Sequence, residues 1–422
     1  MDGSHPEPVD AAPVDAAVST PDAGWPPAID GTPYTGSTTS ITVGVSKQIT
    51  GGRLVAGFAG FSFEKSHMTD GFFTGSNAPL IALFRLLGPG FVRIGANDVG
   101  REQWQATALP VAGGTTSKNV GTADLDDLAA FLKATNWQVM YGLNLNPTAG
   151  VSNSVAEATY AANVLGSNLY TFEMGNEPSD YATFKPAWEA MQSAIKTAVP
   201  TAQFNGPESN TTSTTTQFAA DEAGRIVLLT HHHYVGGAGT SNATIAYLLK
   251  GDTGTISETR TFVQAATGAK LRDGFRWGED NSFYGHGQPG VSDAFASALW
   301  GIEHMFKAAE TGAVGVNFHG GGQNMDGNSC PTGPSSCTKP FVYSPIDEVN
   351  SQVTAAAPLY YAMLFISRAG VGNTLSTTVS SGNLNVFAHA VSLDSGGTNV
   401  VIVNNEASAG LSARVSFGTA VS

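Results

Sequence analysis

Short apolar runs alternate with longer amphipathic segments between residues 54 and 322. The runs are rich in β-branched and aromatic residues, which favours strands, whereas the amphipathic segments repeat their apolar residues at the spacing of a helix. The predicted strands are residues 55–64, 91–96, 137–145, 169–177, 202–208, 226–234, 272–279 and 313–319. The predicted helices are residues 77–87, 122–135, 153–165, 185–198, 241–250, 256–268 and 291–311, with only the short segment 217–224 between the fifth and sixth strands. Strands and helices in this alternation predict an α/β protein with a (β/α)₈ barrel, or TIM barrel.

Different patterns flank the predicted barrel. Residues 353–368 are expected to form its last helix, so that the catalytic barrel would extend over residues 54–369. Alternating runs follow at residues 374–380, 384–393, 398–404 and 411–417. They predict a C-terminal β-sandwich over residues 370–422, completed by an N-terminal strand within residues 37–53. Because the chain stops soon after the last run, the sandwich is expected to be truncated in this sequence.

Residues 1–36 differ from the rest of the chain, because they are rich in Pro, Ala and Asp and have few bulky apolar side chains. Such a composition cannot build a core, so we expect a disordered tether. The segment resembles the linker after a removed bacterial export or lipoprotein signal, which predicts a secreted or periplasmic protein, or an outer-surface lipoprotein. No apolar run of about 18 residues or more is present, so no transmembrane segment is predicted.

The charge balance is acidic, since 20 Lys and Arg residues face 34 Asp and Glu residues, for a net charge of −14. This balance argues against nucleic acid and anionic membranes as partners. The two cysteines, Cys330 and Cys337, enclose a turn-rich stretch and form either one local disulfide or two unrelated free thiols. Two thiols without further suitably spaced ligands do not predict a metal site.

Candidate chemistry lies at the predicted strand ends, where barrel enzymes carry their active sites. The fourth strand ends in Asn176-Glu177-Pro178, and the seventh strand ends at Glu279. A single carboxylate in such a position is more often a polar strand end than a catalyst. Carboxylates on the fourth and seventh strands, however, face each other across the barrel mouth. Cleavage of a glycosidic bond needs such a pair, with one carboxyl group protonated and the other ionised.

Strand alternation sorts the neighbours of these carboxylates, because side chains two residues apart share a face. His232 and Tyr234 are therefore expected to point into the mouth together, with Tyr234 donating a hydrogen bond to Glu279. Adjacent residues point to opposite faces, so His231, His232 and His233 cannot converge on one ion. No metal is predicted.

A deeper carboxylate is Glu173, four residues before Glu177 and on the same face. A charge at that depth is costly unless it is paired. Arg93 on the second strand is the candidate partner, and an ion pair with a structural role is the favoured interpretation. Arg93 is also expected to reach Glu279 and to lower the pKa of its carboxyl group.

The motifs at the strand ends resemble those of glycoside hydrolase family 79, which contains β-glucuronidases and heparanase-like enzymes. Gly175-Asn176-Glu177-Pro178 alone is common to many barrel hydrolases, but its combination with other segments is more specific. The further matching segments are Gly60-Phe61-Ser62-Phe63-Glu64-Lys65-Ser66, Val92-Arg93-Ile94-Gly95 with Asn97-Asp98, Glu279–Tyr284, Gly290–Trp300, Gly315–Gly322 and Tyr343–Ile346. The resemblance extends over about residues 40 to 420.

The resemblance implies that Glu177 is the acid/base and Glu279 the nucleophile of a retaining enzyme that needs no cofactor. It implies a glucuronic-acid-containing carbohydrate as substrate, with the sugar carboxylate held by Tyr284, the backbone of Gly285 and His286, and Tyr343. Because these donors are neutral, they can bind an acidic sugar even though the protein itself has a net negative charge. The other expected sugar contacts are Glu64, Asn97 and Asp98, and the expected supporting residues are Asn176, Tyr234, His232 and Arg93.

Two departures from the family pattern concern the pocket. The loop that holds both cysteines resembles an insertion where the pocket wall is expected, and His286 stands where a glycine is expected. The favoured hypothesis is an exo-acting β-glucuronidase. An endo-acting enzyme on acidic polysaccharides would need a cleft lined with Lys and Arg. A non-catalytic carbohydrate-binding barrel would have no need of two opposed carboxylates.

Overall fold

The computed structural model describes residues 36–111, 119–147, 149–250, 253–321 and 342–418. The predicted tether, apart from its last residue, and both Cys330 and Cys337 lie outside these ranges, so the tether and the disulfide stay predictions. Within these ranges, no helix has the length and apolar character that crossing a membrane would require.

The secondary structure follows the alternation of the sequence. The strands are β1 (Thr38–Leu54), β2 (Ala59–Glu64), β3 (Phe91–Gly95), β4 (Gln103–Trp104), β5 (Asn119–Val120), β6 (Gln138–Leu143), β7 (Leu169–Met174), β8 (Asn205–Ser209), β9 (Leu228–Gly237), β10 (Phe275–Tyr284), β11 (Gly315–Gly320), β12 (Ile346–Val349), β13 (Gln352–Ala356), β14 (Gly372–Ser380), β15 (Val386–Leu393), β16 (Thr398–Asn404) and β17 (Gly410–Phe417). The α-helices are α1 (Ala78–Leu87), α2 (Thr122–Thr135), α3 (Val151–Leu165), α4 (Tyr181–Ala198), α5 (Thr212–Asp221), α6 (Ile245–Leu248), α7 (Thr253–Gly268), α8 (Phe295–Thr311) and α9 (Pro358–Ala369).

Eight strands form one parallel sheet in the order β7-β6-β3-β2-β11-β10-β9-β8. Its two edges meet where Phe172 of β7 pairs in parallel with Phe204, just before β8, so the sheet closes into a barrel. Large apolar side chains such as Trp188 of α4 and Trp277 of β10 fill the core around the barrel. The predicted (β/α)₈ fold is confirmed, and the carboxyl ends of its strands gather at one mouth.

Three local predictions were wrong. Helix α5 begins before the short segment 217–224, because burial of Phe218 outweighs the low helix propensity of a threonine-rich stretch. Helix α6 is a single turn within the predicted helix 241–250. The last barrel helix begins at Pro358 instead of residue 353, because β13 pairs with β12 as a hairpin.

The C-terminal strands form a five-stranded sheet in the order β16-β15-β14-β1-β17. Strand β1 pairs antiparallel with β14 and parallel with β17, so a strand from the start of the chain lies between strands from its end. Val391 and Val401 on one face join the core around the barrel, whereas Ile41 and Val43 belong to a separate apolar cluster. The described residues make a single sheet here, so the second layer of a sandwich is not confirmed and the domain boundaries stay predictions.

Candidate active site

A cavity of about 590 Å³ opens at the carboxyl ends of the barrel strands. Predicted site residues in its lining are Glu64, Asn97, Glu177, His232, Tyr234, Glu279, Tyr284, Gly285, His286 and Tyr343. Lining residues that were not predicted as site residues are Arg101, Asn210, Thr212, His231, His233, Glu258 and His319. Three further predicted residues, Arg93, Asp98 and Asn176, lie behind this lining and support it.

Glu177 and Glu279 converge in this cavity. One oxygen of each carboxyl group lies within 4.8 Å of an oxygen of the other. The Glu279 side chain is 5% exposed, whereas the Glu177 side chain is 30% exposed. Glu177 follows the end of β7 in a left-handed backbone conformation, with a φ of 44°. The two carboxyl groups are therefore close together but differ in their access to solvent.

Glu279 is surrounded by donors and positive charge. The Tyr234 hydroxyl donates to Oε1 at 2.7 Å, and Arg93 Nη1 donates to Oε2 at 2.7 Å. Burial alone would raise the pKa of Glu279, but attraction to His319, His232 and Arg93, together with the Tyr234 hydrogen bond, holds it well below the usual carboxyl value. Because burial lowers the pKa of His319 itself, the lasting attraction comes from His232 and Arg93. Glu279 is thus ionised near neutral pH.

Arg93 is fully buried beneath the cavity, where it contacts Glu279 and the residue before Glu177. Its Nε donates to Glu173 Oε1 at 2.8 Å, and its Nη2 donates to Asn176 Oδ1 at 2.7 Å. Burial raises the pKa of Glu173, and the attraction of Arg93 offsets this only in part, which favours the protonated form of Glu173. Arg93 therefore contacts the deep carboxyl group, the residue before Glu177 and the Glu279 carboxylate at once.

His232 stands between Glu177 and a carboxylate that was not predicted, Glu208. His232 Nδ1 lies 2.8 Å from Glu177 Oε1, and its Nε2 lies 3.0 Å from Glu208 Oε2. Burial would lower the pKa of His232, but attraction to Glu279 and the hydrogen bonds to Glu177 and Glu208 raise it to about 10. Burial would likewise raise the pKa of Glu208, but Arg93 and His232 lower it to about 2. The signal for Glu208 in the sequence was its position at the end of the predicted strand 202–208.

The floor of the cavity beside β2 and β3 is a second polar cluster. Asn97 Nδ2 contacts Glu64 Oε1 at 3.5 Å, and the Asp98 backbone N–H donates to Glu64 Oε2 at 2.7 Å. The Asp98 carboxylate accepts from Ser66 Oγ at 2.6 Å and from Arg101 Nη1 at 2.8 Å. Asp98 was expected to contact the sugar, but its side chain does not line the cavity. The hydrogen bonds from Ser66 and Arg101 hold the carboxylate away from it.

The residues expected to bind a sugar carboxylate gather near Tyr234, whose ring lies 6.1 Å from that of Tyr284 and 6.2 Å from that of Tyr343. Tyr284 is 58% exposed, whereas Tyr343 is buried. Gly285 and His286 have φ angles of 80° and 73°, in the left-handed region that glycine favours. Burial lowers the pKa of His286, so its imidazole is neutral near pH 7.

A buried strap, formed by the ion pairs of His67 with Asp70 and Glu348, connects the segment after Tyr343 with the segment after β2. The hairpin of β12 and β13 brings Glu348 Oε1 to 2.5 Å from His67 Nε2, and His67 Nδ1 lies 2.5 Å from Asp70 Oδ2. Burial would lower the pKa of His67, but attraction to Asp70 and Glu348 raises it well above the ordinary histidine value. His67 is therefore a buried cation between two carboxylates, close in the chain to the wall that Tyr343 forms.

Two groups of potential metal ligands occur in the described ranges, namely Glu177 with His232 and Glu279, and His233 with Asp280 and His304. In the first group, both His232 nitrogens face carboxylates that hold the ring in its protonated form, which leaves no lone pair for an ion. In the second group, His304 Nε2 lies at hydrogen-bond distance from Asp280 Oδ2, 2.7 Å away. Hydrogen bonding accounts for both arrangements, and the expectation of no metal stays a prediction.

No protein-family model matches the chain. The chain is similar to a β-glucuronidase of Neurospora crassa, with 24% identity over 226 residues, and that alignment covers 44% of this chain and only 40% of the relative. Among solved structures, a 4-O-α-L-rhamnosyl-β-D-glucuronidase from Fusarium oxysporum 12S matches with a TM-score of 0.64 and 20% identity, covering 87% of this chain and 81% of that chain. A family 51 α-L-arabinofuranosidase from Bifidobacterium longum matches with a TM-score of 0.63 and 12% identity, covering 91% and 88%. At such identities, these two structures show a shared fold.

Proposed function

We propose that this protein is a retaining, exo-acting β-glucuronidase, which removes terminal β-linked glucuronic acid from glycans or glycosides. The observation that carries the proposal is the close approach of Glu177 and Glu279 in unlike surroundings, inside a cavity at the barrel mouth. The similarity to the Neurospora crassa β-glucuronidase supports glucuronides as the substrate class.

The separation of the two carboxyl groups supports retention of configuration. Retaining glycosidases hold their carboxyl groups about 5–5.5 Å apart, whereas inverting enzymes need about 6.5–9.5 Å to admit a water molecule. One oxygen of Glu177 and one of Glu279 lie within 4.8 Å of each other, which supports the shorter, retaining spacing.

In the proposed first step, ionised Glu279 attacks the anomeric carbon and forms an ester bond to it. The bond from that carbon to the leaving oxygen breaks, and Glu177 gives its proton to this oxygen. In the second step, Glu177 takes a proton from water, the resulting hydroxide attacks the anomeric carbon, and the ester bond breaks to release Glu279. The lowered pKa of Glu279 supports the nucleophile role, because only the carboxylate can attack.

Recognition of the sugar carboxylate is proposed for the hydroxyls of Tyr284 and Tyr343 and the backbone N–H groups of Gly285 and His286. Hydroxyl and backbone N–H groups are neutral donors, and burial lowers the pKa of the nearby His286 imidazole, so this ring adds no positive charge near pH 7. Neutral donors select for the carboxylate by geometry, because a substrate without it gives up hydrogen bonds that are worth about 1–3 kcal/mol each. A preference for β-glucuronides over β-glucosides follows.

The charge of the cavity disfavours an endo-acting enzyme on acidic polysaccharides. Arg101 is the only Lys or Arg among the described lining residues, and its Nη1 is paired with Asp98. A cleft for a polyanionic chain would present several free cations along its length. The non-catalytic alternative is disfavoured because a binding site gains nothing from a buried, ionised Glu279 beside a second carboxyl group.

The test is a panel of 4-nitrophenyl glycosides that contains the β-glucuronide, the β-glucoside, the β-xyloside and the α-L-arabinofuranoside. We expect the highest kcat/KM on the β-glucuronide, the β-anomer as the first product by NMR, and activity reduced by several orders of magnitude in Glu279→Gln. Comparable kcat/KM on the glucuronide and the glucoside would refute the glucuronidase assignment, and release of the α-anomer would refute retention. Release of single glucuronic acid residues from an oligosaccharide would support exo action, whereas internal fragments would refute it.

A further inference from the structure

Glu208 is a buried carboxylate at the end of β8 with several polar partners, one of which is the Glu173 carboxyl group. Its Oε2 lies 3.0 Å from His232 Nε2, and its Oε1 accepts from Asn205 Nδ2 at 2.8 Å. Arg93 Nε lies 3.4 Å from the same Oε2. A side chain at Gly278 would come within 2.2 Å of that oxygen, so the glycine directly before Glu279 leaves the space that the carboxylate occupies.

Glu208 is linked to Glu177 in two ways. The backbone N–H of Glu177 donates to the backbone carbonyl of Glu208 at 2.7 Å. The Glu208 carboxylate also holds the far nitrogen of His232, whose near nitrogen contacts Glu177 Oε1 at 2.8 Å. Both glutamates have left-handed φ angles, 44° at Glu177 and 53° at Glu208, which side-chain-bearing residues keep only where surrounding contacts hold them.

The hydrogen-bonding capacity of His232 depends on this second carboxylate. A neutral imidazole has one N–H and can donate to only one of its neighbours, whereas an imidazolium donates from both nitrogens. The ionised Glu208 favours the imidazolium form of His232. This form keeps an N–H directed at Glu177 both before and after Glu177 gives up its proton. The charged and titratable groups around His232 are Glu177 after β7, Glu208 on β8, Glu279 on β10, Arg93 on β3, His319 on β11 and His231, which precedes His232 in the chain.

We propose that Glu208 is a positioning residue for the acid/base Glu177, acting through the His232 ring and through its own backbone carbonyl. This inference rests on the proposed function, in which Glu177 transfers the proton. In the first step, Glu279 loses its negative charge as its ester bond forms, and Glu177 gains one as it releases its proton to the leaving oxygen. His232 lies near both groups, 2.8 Å from Glu177 and 4.0 Å from Glu279, so its positive charge stays balanced before and after the step.

The test is Glu208→Gln, which keeps the shape of the side chain and removes its charge. We expect kcat/KM to fall about 10- to 100-fold on alkyl glucuronides, whose poor leaving groups need the proton, and much less on 2,4-dinitrophenyl glucuronide. We also expect the alkaline limb of the pH profile to move down by about one to two pH units, because the positive charge of His232, no longer balanced by Glu208, then favours loss of the proton that the first step transfers. Glu208→Asp, which keeps the charge, should restore the position of that limb.

The matched control is Glu173→Gln, since Glu173 shares Arg93 with Glu208 and its raised pKa already favours the neutral form that glutamine imitates. This variant should keep the wild-type dependence on leaving group. Equal losses on all leaving groups with an unmoved alkaline limb in folded Glu208→Gln would refute the inference. A displaced alkaline limb in folded Glu208→Asp, which keeps the charge, would also refute it, so the inference stays testable if Glu208→Gln does not fold. If the wild type prefers another β-glycoside, the same comparison on that substrate tests Glu208 while the glucuronidase assignment fails. A wild type without glycosidase activity would refute both.

Discussion

Replacement of His67 by Gln tests whether the buried strap between Asp70 and Glu348 holds the cavity wall. The side chains of His67, Asp70 and Glu348 are at most 4% exposed, so water cannot compensate the two carboxylates when the cation is removed. Breaking a buried pair by removal of one partner costs about 3–5 kcal/mol. An unfolding entropy of about 2.1 cal/mol/K per residue over 422 residues amounts to about 0.9 kcal/mol per degree. We therefore expect Tm to fall by about 3–6 °C.

The pH dependence of this loss has a definite sign. The pKa of folded His67 is raised above the unfolded value of about 6.5. Its contribution to stability is therefore complete below about pH 6.5 and is lost as the pH rises through the folded pKa. The difference in Tm between wild type and His67→Gln should shrink on the alkaline side, and thermal melts across that range measure it.

The matched control is His389→Gln in the C-terminal sheet, because His389 pairs at 2.8 Å with Glu310, whose side chain is 23% exposed to water. Its Tm loss should be smaller, and its kinetics should be those of wild type. For His67→Gln, we expect KM for an aryl glucuronide to rise more than kcat falls, because the hairpin that follows Tyr343 loosens. A Tm within one degree of wild type together with an unchanged KM would contradict the reasoning.

Three further predictions concern the cavity. Glu177→Ala should slow alkyl glucuronides far more than dinitrophenyl glucuronide, because only poor leaving groups need the acid, and equal losses on both would count against that role. Tyr284→Phe should reduce the ratio of glucuronide to glucoside kcat/KM by about 5- to 20-fold, the lower part of the range for one lost donor, because this tyrosine is half exposed; an unchanged ratio would exclude Tyr284 from carboxylate binding. His286→Gly should raise the free energy of unfolding by up to about 1 kcal/mol by relieving a left-handed backbone, and denaturant titration checks this. It should leave the pH profile near neutrality unchanged, since the lowered pKa of His286 keeps the ring uncharged there, and a lost limb would show the opposite.

The features that could be predicted from the sequence depend on local pattern. The barrel strands are short apolar runs between amphipathic helices, and a carboxylate at the end of such a run is visible without coordinates. Alternation alone implied that Tyr234 and His232 share a face, and the structure brings Tyr234 to Glu279 and His232 to Glu177. The catalytic roles of these residues stay predictions.

The features that could not be predicted depend on contacts between distant segments. Glu208 resembles any polar strand end until β9 brings His232 beside it. Asp98 follows Asn97 in the sequence, but the 3-10 helix Asn97–Gly100 directs its carboxylate to Ser66 and Arg101. The threonines of α5 disfavour a helix locally, and only packing against the barrel reverses that preference. For Glu208 and α5, contacts between distant segments decide the structure, whereas the Asp98 side chain is held both by the distant Ser66 and by Arg101, three residues away.

The position of β1 between β14 and β17 in the C-terminal sheet has a consequence for synthesis. Thr42 pairs with Ser380 on one side and with Arg414 on the other, so both of its neighbours leave the ribosome after the whole barrel has been translated. At about 5–20 residues per second, β1 waits roughly 20–70 s with two open edges and with Ile41, Val43 and Val45 uncovered. Unpaired strand edges invite association with other chains. The barrel can fold during this delay, whereas the C-terminal sheet must form last, and the interval before it forms is when a nascent chain is most exposed to aggregation.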